Sequence, residues 1–493
     1  MIKIPFVVLL TTICIGAFAQ TEENITIGKK TTIYSNILKE NRKIRIYNPA
    51  QTAAMPVTDK RYPVVYVLDG DAHFLSTIGV IQQLSQANGN SILPEMIVVG
   101  IENTNRLRDL TPSVVTSDNK GKVNPFVNFL ETELMPYVEK NYNTAPYRLL
   151  VGHSLGGLTA IDILTNSPKL FNAYIAIDPS MWYNDEKFLN NAISQLPKEN
   201  LQGTRLFIGT ANTMPRGMTL AKLGKDKSPE TQHIRSIFKL DSFIKRNSKT
   251  GLKYLLKYYE NESHVSVPMI SEYDGLRFIF DYYLIDITEK DFKDSTSAIA
   301  TKYKQHYNKI SKEMGYKNAP PEVFINYLGY DAMMKKQYNR AEALFQLNME
   351  NYPNSNKVHG SYADYLISKR DTLNAITYYK KALAIKEDAF IQSKLNALSP
   401  TAKFALSSDD LEKYVGVYSL EAYKIDVNLE IRGGKLMATF QGQGGDELTP
   451  VSKDIFTVKN KQGYTITFQM NDKRAVAFTS VQPEGIFKAI LKK

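Results

Sequence analysis

LLVGHSLGGLTAIDIL, Leu149 to Leu164, is the stretch on which the reading of the chain turns. Apolar residues run into Gly152-His153-Ser154-Leu155-Gly156, and the chain then resumes with Leu158, Ile161 and Leu164 at helical spacing. The pattern predicts a strand, a sharp turn and a helix, with Ser154 at the apex of the turn. Such a turn holds its serine in a strained backbone conformation that lifts the hydroxyl clear of the chain. Glycines two residues to either side let strand and helix approach closely. An ordinary serine in a glycine-rich turn has the same pentapeptide, so the neighbouring segments decide between the two.

Those segments alternate between strand and helix. Tyr62 to Leu68 (YPVVYVL) and Met96 to Ile101 (MIVVGI) are short apolar runs rich in β-branched residues, as expected of strands covered on both faces of a parallel sheet. Ala173 to Ile177, Arg205 to Gly209 and Leu252 to Tyr259 read as further strands, and Val123 to Val138 and Thr231 to Arg246 as amphipathic helices. Arg42 to Tyr47 alternates charged and apolar residues and reads as an edge strand with one wet face. The alternation predicts a doubly wound α/β domain over about residues 28 to 285.

Composition sets the outer limits. The 493 residues, 43% hydrophobic, are too many for one core and imply several domains. Met1-Ile2-Lys3, the apolar run to Phe18 and the small residues Ala17 and Ala19 before Gln20 read as a secretory signal peptide over residues 1 to 19, so the mature chain is expected to be exported, to the periplasm or beyond. Cys14, the single cysteine, falls inside it, which leaves no disulfide or thiol chemistry. No other apolar run approaches the roughly 18 residues that a membrane span needs. The net charge is +11, yet no run of five basic residues occurs, and the lysines are interspersed with acidic residues. That pattern is a solvated basic surface and argues against nucleic acid.

A serine nucleophile needs a base, and the chain offers six histidines. His153 belongs to the turn itself, while His73, His233, His306 and His359 fall on predicted helices or their entrances. His264, in Glu260-Asn261-Glu262-Ser263-His264-Val265-Ser266, follows the last predicted strand and precedes a helix near Pro268. The triad histidine of an α/β-hydrolase occupies that place, in the chain order serine, acid, histidine. For the oxyanion hole, the backbone amide of Leu155 is one expected donor. The amide of Asp71, in the loop after YPVVYVL, is the other.

YPVVYVLDGDAHF, Asn105 to Pro112 (NRLRDLTP), VGHSLGG, Asp178 to Tyr183 (DPSMWY) and Glu262-Ser263-His264, in this order and spacing, resemble the esterase D-like family of α/β-hydrolases. Within it they are most similar to the siderophore trilactone esterases of the enterobactin type, relatives of feruloyl and acetyl-xylan esterases. The resemblance implies an α/β-hydrolase domain, here residues 20 to 285, and a serine carboxylesterase with Ser154 and His264 in the catalytic roles. It places Arg106 in a loop flanking the active site, where it contacts an acyl carboxylate or catecholate or braces the loop. Trp182 then reads as an aromatic wall of the acyl pocket or as a packing residue.

The acid departs from the family pattern. After Arg205 to Gly209 the chain reads Thr210-Ala211-Asn212-Thr213, with no carboxylate. Asp226 is the favoured candidate, with Glu230, Asp178 or a Ser154–His264 dyad as alternatives. No histidine or carboxylate cluster has ligand spacing along the chain, so neither a metal nor an organic cofactor is expected.

Beyond residue 285 the signals change. Ala341 and Ala375, like Phe345 and Tyr379, are 34 residues apart (375 − 341, 379 − 345). Over residues 286 to 400 this suggests a helical connector and about two tetratricopeptide-like repeats, a surface for packing or for a protein or peptide partner. Residues 409 to 493 switch to two-residue alternation and read as a small antiparallel β-barrel or sandwich, similar to an uncharacterised domain appended to secreted serine hydrolases. The expected function is an exported serine carboxylesterase acting on a small-molecule ester. The alternative is a non-catalytic binding protein that uses the hydrolase fold and helices as a scaffold.

Overall fold

The β-branched and aromatic runs come together in one eight-stranded sheet, ordered β1-β2-β4-β3-β5-β6-β7-β8. The strands are β1 (Lys29–Ser35), β2 (Glu40–Tyr47), β3 (Tyr62–Val67), β4 (Ile97–Ile101), β5 (Thr144–His153), β6 (Ala173–Ile177), β7 (Arg205–Ala211) and β8 (Lys253–Tyr259). This is a computed structural model, and it describes residues 24–51, 60–111, 124–398, 404–420, 423–440, 445–461, 463–483 and 485–492. The predicted signal peptide and its cleavage near Ala19 lie outside the described residues.

From β4 to β8 all pairings are parallel, and β1, β2 and β4 pair antiparallel. The central strands β3 to β7 are buried throughout their length apart from Pro146, Arg148 and His153, which explains their nearly unbroken apolar sequence. Each such Val, Ile or Leu contributes about 1.5–3 kcal/mol through burial. Helix Leu155–Asn166 packs on β5 and β6. Helices Gly70–Ser85 and Val267–Ile279 pack on each other, the first against β4 and the second against β6 and β7.

Two sequence expectations change here. Arg42 to Tyr47 is not an edge strand, because β2 lies between β1 and β4. Arg42 points with Ile44 and Ile46 into the core, fully buried, because Asp109, Glu40 and the Glu102 carbonyl receive its guanidinium. The helix expected over 123 to 138 begins at Pro125, capped by the Asn124 side chain, and widens into a π-helical turn at Leu130–Leu134. That turn holds Glu133, which accepts hydrogen bonds from Ser35 Oγ (2.5 Å) and the Asn36 amide (2.8 Å) at the end of β1.

Glu272, on the helix Val267–Ile279, is buried where that helix meets Gly70–Ser85. Burial pushes its carboxyl up to about 8, offset in part by Thr77 and Ser76. Those two hydroxyls donate to the His73 carbonyl, and neither Glu272 oxygen has a well-aligned partner. The folded chain therefore keeps a proton that the unfolded chain releases near its ordinary carboxylate value. Stability is expected to fall as pH rises from about 4.5 to about 8, at up to roughly 1.4 kcal/mol per pH unit. Melting temperatures across that range check this, and Glu272→Gln should flatten the slope.

The chain divides into two compact units, up to Leu284 and from Ile285 onward. In the second unit the helices Ala298–Met314, Glu322–Met334, Tyr338–Asn351, Asn356–Ser368, Thr372–Ile385 and Ala389–Leu398 share one apolar core. Gly329 is required there: a Cβ would meet the Phe345 ring at 2.7 Å. Ala341 and Ala375 are fully buried where helices touch. The C-terminal strands form a closed antiparallel barrel of eight, in which the last strand, Gly485–Leu491, pairs with the first, Gly416–Leu420. No helix among the described residues is long and apolar enough to cross a membrane.

Candidate active site

β5 ends at His153, and the helix Leu155–Asn166 starts with only one residue between them. Ser154 between them has φ 59° and ψ −113°, a conformation that side chains other than glycine's rarely adopt. Three backbone hydrogen bonds hold it: its amide donates to the Ile177 carbonyl (2.9 Å), and its carbonyl accepts from the amides of Leu158 (3.0 Å) and Ser180 (3.1 Å). Gly152 makes the turn feasible, since a Cβ there would lie 2.2 Å from the Gly156 carbonyl oxygen. The Ser154 hydroxyl shares a hydrogen bond with Ser180 Oγ (3.2 Å).

His264 follows β8 in a short loop tied down by the Asn212 amide, which donates to the Glu262 carbonyl. Its partner is not Asp226. Asp226 is held by Ser228 and Thr231, whose hydroxyls keep its carboxyl below the usual carboxylate range, and it lines a separate cavity of about 600 Å³ with Arg235 and Lys239. The short turn from Asp226 to Thr231 satisfies that carboxylate locally and so keeps it from the histidine. Glu230 lies in the same turn.

Asp178, at the end of β6, receives His264 instead. Its Oδ2 lies 2.6 Å from His264 Nδ1 and 2.9 Å from His233 Nε2, while Oδ1 accepts from the Ala211 amide (3.0 Å). The backbone at Asp178 is left-handed (φ 41°), which turns a fully buried carboxylate toward the ends of β7 and β8. Burial pushes this carboxyl up, but the bonds from His233 and His264 outweigh it and bring it down to about 2. Asp178 is therefore ionised at any ordinary pH.

His153 lies behind this pair. Its Nε2 meets the His264 carbonyl (2.8 Å), and the two rings are 4.6 Å apart. Burial, then the neighbouring His264 and His73, push it down to about 4, so it stays neutral as a brace. His233, on the first turn of Gln232–Arg246, is the residue that the sequence reading passed over. Nothing local distinguishes it, because its partner lies 55 residues earlier.

Leu155 is the first residue of its helix and Asp71 the second of Gly70–Ser85, so both amides belong to first turns, where N–H groups lack intrahelical acceptors. The two helix starts are adjacent: a Cβ on Gly156 would lie 3.4 Å from Leu68 Cβ and 3.5 Å from Asp69 Oδ2. Asp69 in turn accepts from Arg106 Nε (2.7 Å) and Nη2 (2.9 Å) and from Asn103. Of the two roles open to Arg106, bracing is thus realised, and the pairing with Asp69 raises its guanidinium further above its usual value. Trp182 stands in the loop after β6, 41% exposed, edge-on to Tyr183.

Residues 35–219 match the Putative esterase family, and residues 401–490 match a domain of unknown function (DUF3471). The chain is 26% identical over 260 residues to the ferri-bacillibactin esterase BesA of Bacillus subtilis, covering 48% of this chain and 85% of that one. It is 29% identical over 143 residues to the siderophore triacetylfusarinine C esterase of Aspergillus fumigatus, covering 26% of this chain and 48% of that one. Among solved structures, an IroE-like serine hydrolase from Shewanella oneidensis superposes with a TM-score of 0.52 at 28% identity, covering 66% of this chain and 99% of that one. The fold, the turn at Ser154 and these likenesses agree: residues 35–219 of the N-terminal unit are similar to the Putative esterase family, and the chain is a hydrolase acting on ester bonds.

Proposed function

We propose that this is an exported serine carboxylesterase that works through an acyl-enzyme, with Ser154, His264 and Asp178 as its triad. The observation that carries the reading is the pairing of His264 Nδ1 with the buried Asp178 carboxylate beside a serine held at positive φ. In this mechanism Asp178 fixes the proton on Nδ1 and leaves Nε2 free to take the Ser154 proton. Ser154 Oγ attacks the ester carbonyl, and the amides of Leu155 and Asp71 receive the oxyanion, each worth about 3–4 kcal/mol. The alcohol leaves with the proton from His264, and water activated by the same histidine then releases the acid.

The relatives named above act on siderophore esters, which supports a siderophore or related aryl ester as substrate. Arg106, with Nε and Nη2 engaged by Asp69, presents its remaining edge to an anionic or catecholate acyl group, and Trp182 forms the aromatic wall. The signal-like segment at residues 1 to 19 supports export.

Labelling with a fluorophosphonate probe tests the mechanism. Wild-type protein is expected to gain one adduct by intact mass, Ser154→Ala none, and His264→Ala almost none. An unlabelled wild type would remove the activated serine and return the scaffold reading.

A further inference from the structure

We propose that Asp178, His233 and His264 form a binding site for a borderline divalent cation of the Zn²⁺ class, and that its occupation switches the esterase off. Asp178 Oδ2, His233 Nε2 and His264 Nδ1 come from three separate elements, and these ligand atoms all lie within 4.8 Å of one another. The two nitrogens stand 2.9 Å and 2.6 Å from the carboxylate oxygen. Tetrahedral donors around an ion with bonds of about 2.0–2.2 Å are about 3.3–3.6 Å apart, so both histidines must draw back from the carboxylate by several tenths of an ångström to admit it. Two imidazoles and one carboxylate, with a position left for water, are a set that zinc takes in open sites.

The surroundings favour entry. The carboxylate is anchored by the Ala211 amide on Oδ1, which leaves Oδ2 for an ion, and the histidine side chains are 17% and 36% exposed, giving a path from solvent. An acid–histidine pair needs only one imidazole. His233 supplies the third donor.

Occupation and catalysis exclude each other through one proton. Catalysis needs the His264 proton on Nδ1 and a bare Nε2. An ion on Nδ1 requires the other neutral tautomer, with the ring's single proton moved from Nδ1 to Nε2 by exchange through solvent and no net release, and a protonated Nε2 cannot accept from Ser154. The inhibitory half of the proposal rests on the esterase mechanism above; the binding half does not.

Co²⁺ serves as the probe for binding, in the Ser154→Ala protein. One equivalent should give the visible absorption of low-coordinate Co²⁺, displaced by Zn²⁺ and absent when His233→Ala is added. In wild-type protein Zn²⁺ should suppress ester turnover and a chelator restore it, with His233→Ala raising the half-inhibitory concentration at least about tenfold. Should that variant fail to fold, the rise in wild-type melting temperature with Zn²⁺, compared with His233→Gln, carries the same comparison. No Co²⁺ spectrum in Ser154→Ala, or Zn²⁺ inhibition that ignores His233, overturns the site. Binding without inhibition overturns the switch. If no ester is turned over at all, the Co²⁺ spectrum still decides the site, and the failure belongs to the proposed mechanism.

Discussion

Asp178→Asn is expected to lower kcat on a nitrophenyl ester by about 10⁴-fold while leaving the fold intact. The amide matches the carboxylate in shape but offers an N–H to His264 Nδ1 as readily as it accepts from it. The tautomer with a bare Nδ1 is then stabilised, Nε2 keeps its proton, and Ser154 loses its base. Asp226→Asn is the matched control, because the Asp226 carboxylate is occupied by Ser228 and Thr231, and it should turn over within about twofold of wild type. Equal losses in both variants would return the acid to the open question it was in sequence. With Asp178 ionised down to about pH 2, the acid limb of the pH–rate profile should report a histidine and not this carboxylate.

Asp109→Ala carries the largest expected cost in stability, about 3–5 kcal/mol, because it strands a buried guanidinium. Arg42 and Asp109 are both fully shielded, joined by a 2.5 Å contact, and Asp109 also receives Arg108 Nε at 2.8 Å. The pair clamps the short helix Arg106–Leu110 to β2, and Arg106 stands at its start. The chain has one tryptophan, Trp182 in the first unit, so urea unfolding followed by its fluorescence reads this unit alone. Replacing both partners by apolar residues, Arg42→Met with Asp109→Leu, should recover most of the loss. Continued loss in the double variant would show that the pair does more than neutralise charge.

The strands were legible where burial is two-sided. Ala173–Ile177 begins and ends where its apolar run does. The pattern failed at Arg42, since alternation records polarity and not partners, and the partner of Arg42 lies 67 residues on. Ser154 was legible because the turn is local: two glycines, a strand and a helix sit within sixteen residues. His264 was legible from its place after the last parallel strand. Asp178 was only one candidate among several, because its role depends on a left-handed residue that re-aims the side chain across two strands, and nothing in the sequence Ile177-Asp178-Pro179 announces that. His233 was not legible at all, since the pairing that gives it meaning is purely spatial. For the same reason linear spacing hid a set of three ligand-type side chains.

Closure of the C-terminal barrel bears on how the chain is made. Its first strand, Gly416–Leu420, finds its second partner only in Gly485–Leu491, so the ring stays open until that strand has left the ribosome. The eight-stranded sheet has its full complement of strands by Tyr259, more than two hundred residues earlier (485 − 259 = 226). Domains fold as units while synthesis proceeds, and pairings distant in sequence form slowly. The esterase unit can therefore be complete while the barrel is still a set of exposed edges, and the barrel is the part of a nascent chain that most needs protection from its neighbours.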